Sequence, residues 1–554
     1  MKSIILTTLL LITITAFTQD PTFKWARQMG GESGEGALAI ASDDSGNVYT
    51  IGTFADTVDF DPGPSVFNLF PKGVDVFISK LDANGHLVWA KNIGGNYNEQ
   101  GYSIAIDKGG NLYVLGTFNS SACDFNPDPL ATFTMNTVGY TDIFILKLDA
   151  SGNFEWAKQL GGSGYDLGTC LTLDDLGNIF LTGYFWGTAD FNPGPEVSNL
   201  TSISGKEDMF IAKLDNSGDL KWVKQISGAG YEYGHSIALD SGGNIYTAGF
   251  CEGTTDLDPG SGTFNFPDTV WQTVFVLKLD ILGNFVWAKQ LGGEIAVSMT
   301  VDKSGNIYTT GYFDGTYDFD PGPGQLNFTG LGYGDIYISK LTASGDMAWA
   351  KHIGGPGNDR AESIIVDGVG NVYLTGHFGE TADFDPGQGI YNMTAPGVSV
   401  WSANIFILKL NTKGQMVWAE NVGGKGYDVG TSLIADKSGN IYTTGYFTDT
   451  IDFKSGIGSI STGTSYNDVF VLKLGQPTVE IEDRLVNHLT IYPNPSNGTV
   501  YVTAAKDFNL TITDISGQIL ATMHNSSEIN LPKGIYIFCF SIEDASVFKR
   551  VIVL

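Results

Sequence analysis

The chain has few of the residues on which common catalytic and metal centres depend. Its 554 residues include only four cysteines, and their positions lack the spacing of a disulfide framework or a zinc site: Cys123, Cys170, Cys251 and Cys539. The six histidines fall at unrelated places, and no Gly-x-Ser-x-Gly, His-Glu-x-x-His or phosphate-binding loop is present. These absences argue against catalysis, and we predict that the protein is not an enzyme.

Positive charge and long apolar segments are also scarce. Lys and Arg number 30 against 60 Asp and Glu, which gives a net charge of −30. Nucleic acids and anionic membranes attract clustered Lys and Arg, so neither is an expected partner. The acidity suits a solvated surface, and it also suits cation binding. Beyond the first twenty residues no segment has a sustained 3.6-residue apolar period or the length of a transmembrane helix.

The two ends of the chain differ from its middle. Lys2 precedes an apolar run from Ile4 to Phe17, which is too short to span a bilayer and is typical of a secretory signal peptide. We therefore predict four parts, which are a signal peptide at 1–18, a repeat region at 19–474, a linker at 475–488 and a small domain at 489–554.

Tryptophan recurs through the repeat region at intervals of 62 to 69 residues: Trp25, Trp89, Trp156, Trp222, Trp287, Trp349 and Trp418. Such a regular period means that one supersecondary unit is repeated. Tryptophan at the same position of every unit is expected to pack between neighbouring units.

Four signatures recur within each period and have the composition of β-strands. They are a short apolar run ending in Asp (strand a), Gly-Asn-(Val/Ile/Leu)-(Tyr/Phe) (strand b), Asp-x-Phe-Ile-x-Lys-Leu (strand c) and Trp-Ala-Lys (strand d). Strand c is predicted at Asp75 to Leu81 and Asp142 to Leu148, for example. The junction Asp-x-x-Gly-Asn, as at Asp107 to Asn111, predicts a tight turn between a and b.

Seven units of four antiparallel strands predict a seven-bladed β-propeller. The strand Phe23–Met29 precedes any a strand, and the seventh a-b-c set ends at Leu474 with no d strand after it. We therefore predict that Phe23–Met29 pairs with Val469–Leu474 and closes the ring.

The connections from b to c and from d to a are long and variable, whereas the other two are tight. Because binding sites are usually carried on long loops of a rigid scaffold, these connections define the expected functional face. Paired aspartates followed by Pro and Gly recur in the b–c loops: Asp59 and Asp61, Asp256 and Asp258, Asp318 and Asp320, and Asp383 and Asp385.

Two interpretations of these aspartates stay open. Alternating oxygen ligands near a glycine turn suit Ca²⁺, the one cofactor that the sequence suggests. The d–a passages could add oxygens from their acids: Glu35, Glu99, Asp166, Glu232, Asp359 and Asp428. Alternatively, Asp-Pro-Gly is ordinary turn chemistry, in which the carboxylates accept backbone amides.

Three tryptophans fall outside the repeat, at Trp186, Trp271 and Trp401. Each lies in or near a b–c loop and either packs there or offers an aromatic surface to a glycan or peptide.

The last 65 or so residues follow a new pattern of alternating strands that predicts a small Ig-like β-sandwich. The tail resembles the C-terminal sorting domain of the bacterial type IX secretion system in Tyr492-Pro493-Asn494-Pro495, Asp514-x-x-Gly517, Leu531-Pro532-x-Gly534-x-Tyr536 and a terminal strand with Lys549 and Arg550. The resemblance implies export from a Gram-negative cell by that machinery, removal of the tail, and release or attachment at the outer surface.

The repeats resemble the bacterial β-propeller repeats called SBBP. The matching residues are Gly-Gly-x-Gly-x-Asp (161–166 and 423–428), Asp-x-x-Gly-Asn-(Ile/Val)-Tyr and Asp-x-Phe-(Ile/Val)-x-Lys-Leu. This resemblance carries no defined activity.

Taken together, these features predict a secreted or cell-surface binding or scaffold protein, expected to be a monomer, with an unknown protein or glycan ligand. The alternative is a polysaccharide-degrading hydrolase or lyase on the same face. An enzyme would need polar residues that are not repeated to converge in one sector, whereas the sequence shows mostly repeated ones. A third possibility is an adhesion module within a larger surface assembly.

Overall fold

The structure is a computed structural model, and it describes residues 20–266, 272–397, 402–454, 458–462, 466–476, 490–492, 499–503, 509–514, 518–525, 528–542 and 545–553. The chain divides into two units, Met1–Gln476 and Pro477–Leu554. The predicted signal peptide at 1–18 lies outside the described residues. Among the described residues the fold is all-β, in agreement with the predicted fold class.

Forty-one strands cover the described part of the first unit, and each repeat contains strands a and b, the short strands of its b–c loop, then strand c and, in repeats one to six, strand d. The first strand, β1 (Thr22–Gly31), precedes repeat one. Repeat one contains β2 (Gly36–Ser42), β3 (Val48–Phe54), β4 (Val58–Asp59), β5 (Asn68–Leu69), β6 (Asp75–Leu81) and β7 (Leu87–Ile93). Repeat two contains β8 (Glu99–Ile106), β9 (Leu112–Phe118), β10 (Cys123–Asp124), β11 (Thr134–Met135), β12 (Asp142–Leu148) and β13 (Phe154–Gly162). Repeat three contains β14 (Asp166–Leu173), β15 (Ile179–Phe185), β16 (Thr188–Asp190), β17 (Asn199–Thr201), β18 (Asp208–Leu214) and β19 (Leu220–Gly228). Repeat four contains β20 (Glu232–Leu239), β21 (Ile245–Cys251), β22 (Thr255–Asp256), β23 (Thr273–Leu279) and β24 (Phe285–Leu291).

Repeat five contains β25 (Ile295–Val301), β26 (Ile307–Phe313), β27 (Thr316–Asp318), β28 (Asn327–Thr329), β29 (Asp335–Leu341) and β30 (Met347–Ile353). Repeat six contains β31 (Arg360–Val366), β32 (Val372–Phe378), β33 (Thr381–Asp383), β34 (Asn392–Thr394), β35 (Asn404–Leu410) and β36 (Met416–Gly424). Repeat seven contains β37 (Val429–Ala435), β38 (Ile441–Phe447), β39 (Thr450–Lys454), β40 (Gly458–Ser461) and β41 (Asp468–Gly475).

Strands a, b, c and d of repeats one to six pair antiparallel in chain order, and each set forms one sheet. In repeat seven the order is β37-β38-β41-β1, so the first strand of the chain takes the d position. Phe23 lies opposite Leu474 and Met29 lies opposite Val469. The a strands lie side by side from β2 to β37, and β37 also lies beside β2.

The tight a–b turn is held by its aspartate. In repeat two, Asp107 Oδ1 accepts the backbone N–H groups of Gly109 (2.8 Å) and Asn111 (2.9 Å), and Oδ2 accepts Asn111 Nδ2 (2.8 Å). Gly110 has a φ of 83°, a left-handed conformation that glycine adopts without strain. These bonds explain why Asp, Gly and Asn recur in that order at the turn.

The recurring tryptophans pack between sheets. Trp89 on β7 meets Tyr49 of its own sheet edge to face, at a centroid distance of 6.0 Å. A Cβ on Gly152, in the c–d turn of the next repeat, would lie 3.0 Å from the Trp89 ring. Trp25 on β1 makes the same contacts, with Tyr442 of repeat seven and with Gly85 of repeat one.

The second unit contains two sheets among its described residues, in the strand orders β42-β43-β46 and β45-β44-β47-β48. Its strands are β42 (Thr490–Tyr492), β43 (Thr499–Thr503), β44 (Asn509–Asp514), β45 (Ile519–His524), β46 (Glu528–Asn530), β47 (Gly534–Ile542) and β48 (Ala545–Val553). Buried residues of both sheets, including Val500, Leu510, Ile529 and Phe538, form one apolar cluster.

Candidate functional site on the loop face

The b–c loop of each repeat folds back against the end of the preceding d strand. Asp59 lies opposite Gly30 and Val58 opposite Gly31, and Asp190 and Asp256 take equivalent places against β13 and β19. The b–c loops and the d–a passages therefore share one end of the sheets.

The predicted aspartates of the b–c loops bind the backbone of their own loops. In repeat one, Asp59 Oδ1 accepts the amides of Asp61 (3.0 Å) and Phe67 (2.8 Å), and Asp61 Oδ1 accepts the amide of Gly63 (2.8 Å). Asp256, Asp318 and Asp383 repeat the contacts of Asp59, each with the amide two residues and the amide eight residues further on.

The second aspartate of each remaining pair also closes a turn instead of pointing to a shared site. Asp258 Oδ1 accepts the amide of Gly260 (2.8 Å). Asp320 Oδ1 accepts the amide of Gly322 (2.8 Å), and Asp385 Oδ1 accepts the amide of Gly387 (2.8 Å). These bonds are those of the turn interpretation.

The structure does not bring the predicted metal ligands together with further acids. Across the described residues, no three side chains of His, Cys, Asp or Glu lie close enough to share a metal ion, and this holds for Asp258 and Asp385 as for the other six aspartates. The physical reason is that each carboxylate is turned towards the amides of its own loop. Calcium at the eight aspartates stays a prediction.

Two of these pairs line cavities against the preceding d strand. Asp59 and Asp61 border a cavity of about 400 Å³ together with Gln28. Asp318 and Asp320 border one of about 610 Å³.

The acids of the d–a passages lie elsewhere. Glu35, Glu99 and Asp166 are buried, and each faces an aspartate at the start of a c strand rather than the b–c aspartates. Burial and the charge of Asp468 raise the pKa of Glu35 to about 8.

A third cavity, of about 400 Å³, contains two side chains that have no counterpart in the other repeats, Arg360 and His377. Its polar and aromatic lining residues are Tyr333, Asn358, Arg360, His377, Glu380, Ser402 and Tyr427. Arg360 begins β31 and lies opposite His377 on β32. The other six a strands carry no charged residue at the position of Arg360: Gly36, Gln100, Leu167, Tyr233, Ile295 and Val429.

A β-bulge brings a third polar group to this region. The register of each a strand shifts by one residue beside its b strand, and in β31 the extra residue is Glu362. A bulge changes the direction of a side chain. Thr431, which is the extra residue of the bulge in β37, reaches the neighbouring strand β2, where its Oγ1 donates to Ala37 O (2.9 Å). Glu362 Oε1 lies 3.6 Å from His377 Nδ1.

The electrostatics of this cavity leave a neutral imidazole beside a cation. The Arg360 guanidinium lies 4.1 Å from the centroid of the Tyr312 ring, and its Nε donates to Asn358 Oδ1 (3.0 Å). His377 is 4% exposed, and burial together with the charge of Arg360 lowers its pKa to about 4. Neither ring nitrogen of His377 has a hydrogen-bond partner. Burial raises the pKa of Glu362, and Arg360 lowers it in part.

His377, Arg360 and Glu362 were not identified as candidates from the sequence. An alignment of the seven a strands would have revealed Arg360 and Glu362, because each is the charged residue at a position that is uncharged in the other a strands.

Of the three irregular tryptophans, Trp186 stacks with Tyr140 and Tyr165, whose rings lie 4.7 Å apart. Trp271 and Trp401 lie outside the described residues.

The chain matches two family models. Residues 155–192, 221–249 and 348–377 match the beta-propeller repeat SBBP, and residues 490–554 match the secretion system C-terminal sorting domain. Both predicted resemblances are thus confirmed, and the chain carries β-propeller repeats followed by a sorting domain. The tail implies interaction with the type IX secretion machinery and a secreted or cell-surface location.

Curated relatives are distant. An uncharacterized WD repeat-containing protein of Acanthamoeba polyphaga mimivirus, L264, is 23% identical over 77% of this chain and 36% of its own length. The regulatory protein FlaEY of Caulobacter vibrioides is 25% identical over 71% of this chain and 41% of its own. The matches therefore span less than half of either relative.

Among solved structures, a member of the DUF4221 family from Bacteroides vulgatus has a TM-score of 0.30 at 10% identity, covering 82% of this chain and 97% of its own. The extracellular domain of the putative one-component system BT4673 from B. thetaiotaomicron has a TM-score of 0.20 at 12% identity, with 94% and 80% covered. Within the described part of the chain, no helix has the length and apolar character needed to cross a membrane.

Proposed function

We propose that the protein is a secreted or cell-surface binding protein whose ligand occupies the cavity beside Arg360 and His377. The observation that carries the proposal is that Arg360 and His377, which have no counterpart in the other repeats, meet polar and aromatic loop residues in one cavity. Pockets with a few placed polar groups among aromatic rings are the usual form of ligand sites.

The scaffold we propose is a ring of seven blades, closed by β1 in the last sheet. The pairing of β1 with β41 and the contact of β37 with β2 support the closure. A closed ring would hold Arg360 and His377 in place, because both lie on paired strands, β31 and β32. The rest of the lining comes from loops. The remaining parts follow as proposals: a cleaved signal peptide at 1–18, a linker at 475–488 and an Ig-like tail at 489–554 that is removed on export.

The lining indicates an acidic ligand with a flat or apolar face. Arg360 uses Nε on Asn358, so its other N–H groups stay available for a carboxylate. Tyr333, which is 79% exposed, and Tyr427 supply aromatic surface. The neutral imidazole of His377 can donate one hydrogen bond and accept another. Glycans with uronic acids and peptides with a terminal carboxylate both meet this description.

A glycan array and a peptide array followed by calorimetry would test the proposal. We expect Arg360→Ala to weaken binding of the best ligand by about 10- to 100-fold, because charge-assisted hydrogen bonds contribute about 1.5–3 kcal/mol. Gln100→Ala, at the same register of β8, is the matched control and should leave the affinity unchanged. Equal affinities for the wild type and Arg360→Ala would refute the site.

One observation favours the alternative of a polysaccharide-degrading enzyme. Glu362 is an acid of raised pKa whose Oε1 lies 3.6 Å from His377 Nδ1. Incubation with polysaccharides and an assay for new reducing ends would decide between binding and catalysis. Sustained turnover that Glu362→Gln abolishes would replace binding by catalysis as the function.

A further inference from the structure

Buried carboxylate pairs recur where one repeat meets the next. In each pair an acid from the d–a passage faces an aspartate at the start of the preceding c strand. Five such pairs are formed: Glu35–Asp468, Glu99–Asp75, Asp166–Asp142, Glu232–Asp208 and Asp359–Asp335. All ten side chains are no more than 2% exposed.

In three of these pairs both acids keep an oxygen without any hydrogen-bond partner: Glu35–Asp468, Asp166–Asp142 and Glu232–Asp208. Asp166 illustrates the arrangement, since its Oδ2 accepts the amide of Gly162 (2.6 Å) while Oδ1 has no partner. Asp142 Oδ2 accepts the amide of Val138 (2.9 Å) and the Gln159 side chain, while its Oδ1 is also unpartnered.

The carboxylates of Asp142 and Asp166 border the same small space. A Cβ built on Gly161 would lie 2.7 Å from Asp142 Oδ1 and 2.9 Å from Asp166 Oδ2, so both acids border the space above this glycine. Among the described side chains, no Lys, Arg or His forms an ion pair with any of the six acids. Two like charges buried together without compensation are strongly unfavourable, so a positive species must accompany them.

We propose that each of these three carboxylate pairs binds a divalent cation of the calcium class. The donors are all oxygens, which hard cations prefer, and backbone carbonyls and water would complete the 6–8 ligands that Ca²⁺ takes.

A cation explains the contacts better than a shared proton does. Burial raises the pKa of both Asp166 and Asp142 when no cation is bound, whereas one oxygen of each accepts N–H donors, which favour the ionised form. Two ionised carboxylates carry two charges, which one divalent ion balances and one proton does not. These sites are separate from the eight b–c aspartates, whose oxygens accept the amides of their own loops.

The remaining junctions serve as internal controls. Both oxygens of Asp359 accept glycine amides, from Gly355 and Gly379, and His352 bonds Asp335 (2.5 Å), so this pair has no need of a metal. In repeat six Asn404 stands in the place of the c-strand aspartate and faces Asp428, which removes one of the two charges.

Calorimetric titration of the secreted protein with CaCl₂ after removal of metals with EDTA tests the proposal. We expect three sites with dissociation constants of about 0.1–1 mM, as in extracellular calcium modules, and a rise in melting temperature on adding calcium. The double substitution Asp142→Asn/Asp166→Asn should reduce the number of sites by one. Glu232→Gln offers a second variant with the same expected loss, should the first fail to fold.

Two control variants distinguish the outcomes. Asp359→Asn and the double variant Asp59→Asn/Asp61→Asn should both retain three sites. A site lost in Asp59→Asn/Asp61→Asn but kept in Asp142→Asn/Asp166→Asn would overturn the assignment in favour of the b–c loops. Absence of calcium binding at 10-fold above the expected dissociation constant would also overturn it and leave a shared proton as the compensating species. Ligand binding beside Arg360 is measured separately and does not depend on these results.

Discussion

Individual buried acids couple this fold to pH. Asp359 is buried beside Asp335 and Glu380, and burial followed by these two charges raises its pKa to about 7, despite the amides of Gly379 and Gly355 that favour ionisation. His352 Nε2 is hydrogen-bonded to Asp335 Oδ2 (2.5 Å). A carboxyl group with a raised pKa keeps its proton in the folded state over a range in which the unfolded chain has lost it.

The free energy of unfolding should therefore fall as the pH rises from about 4 to about 7. Stability from Asp359 is complete below the unfolded pKa and is lost as the pH passes the folded one. We expect Asp359→Asn to flatten this slope by up to about 1.4 kcal/mol per pH unit. Urea denaturation in EDTA at several pH values measures the slope. The exposed acid variant Asp314→Asn is the control, and an unchanged slope in Asp359→Asn would contradict the assignment.

Residue roles were predictable only where they repeat. The turn aspartates could be identified because Asp, Gly and Asn recur at fixed spacing, as at Asp107. The carboxylate pairs were not predictable, because Asp142 and Asp166 belong to different repeats and meet only through the sheet packing. The Arg360 cavity required the bulge at Glu362, which no local pattern reveals.

At the scale of strands, a glycine in every b strand fixes how the a strand crosses it. A Cβ on Gly116 of β9 would lie 2.0 Å from Gln100 O of β8 and 2.6 Å from the Phe144 ring. The same close approach, at 1.8–2.0 Å to an a-strand carbonyl, occurs at Gly52, Gly183, Gly249, Gly311, Gly376 and Gly445. This contact accompanies the bulge of each a strand and explains the Thr-Gly-Tyr-Phe pattern of the b strands.

Gly116→Ala should destabilise the protein by about 3 kcal/mol, because the added methyl group overlaps backbone that cannot move aside. Gly368→Ala is the matched control, since a Cβ there would meet nothing within 4 Å. Thermal and denaturant unfolding of both variants measure the difference. Equal stability of the two would show that the a and b strands separate more readily than their packing indicates.

Strand boundaries were predicted well where composition marks them. The predicted c strands Asp75 to Leu81 and Asp142 to Leu148 are β6 and β12 with the same bounds. The short strands of the b–c loops, such as β27 and β28, were missed because Asp, Pro and Gly dominate their surroundings and tertiary pairing alone creates them.

At the scale of the whole first unit, the chain joins its first strand to its last repeat. Leu474 lies opposite Phe23, and Lys473 Nζ donates to Ala83 O of repeat one (3.0 Å), just as Lys80 of repeat one donates to Ala150 O of repeat two (3.2 Å). The complementarity of an orphan strand at the start and a missing one at the end was readable in the sequence. The contact between repeats that it creates depends on the geometry of every sheet.

Removal of residues 19–31 should leave β41 as an unpaired edge and expose the apolar surface that Trp25 and Met29 cover. We expect a lower melting temperature and aggregation, both relieved by a synthetic peptide of residues 20–33. A peptide of the same composition in scrambled order is the control. A truncated protein that melts like the wild type would refute the proposed closure.

The antiparallel register of β1 and β41 also determines how this seam responds to mechanical load. Thr22 lies opposite Gly475, so the chain enters β1 and leaves β41 at the same end of the pair. Tension between these two points would load the hydrogen bonds one after another from this end of the pair. It would not load all of them at once, as tension applied at opposite ends would. A molecule anchored by the chain that follows β41 and pulled by the chain that precedes β1 would yield first at this seam.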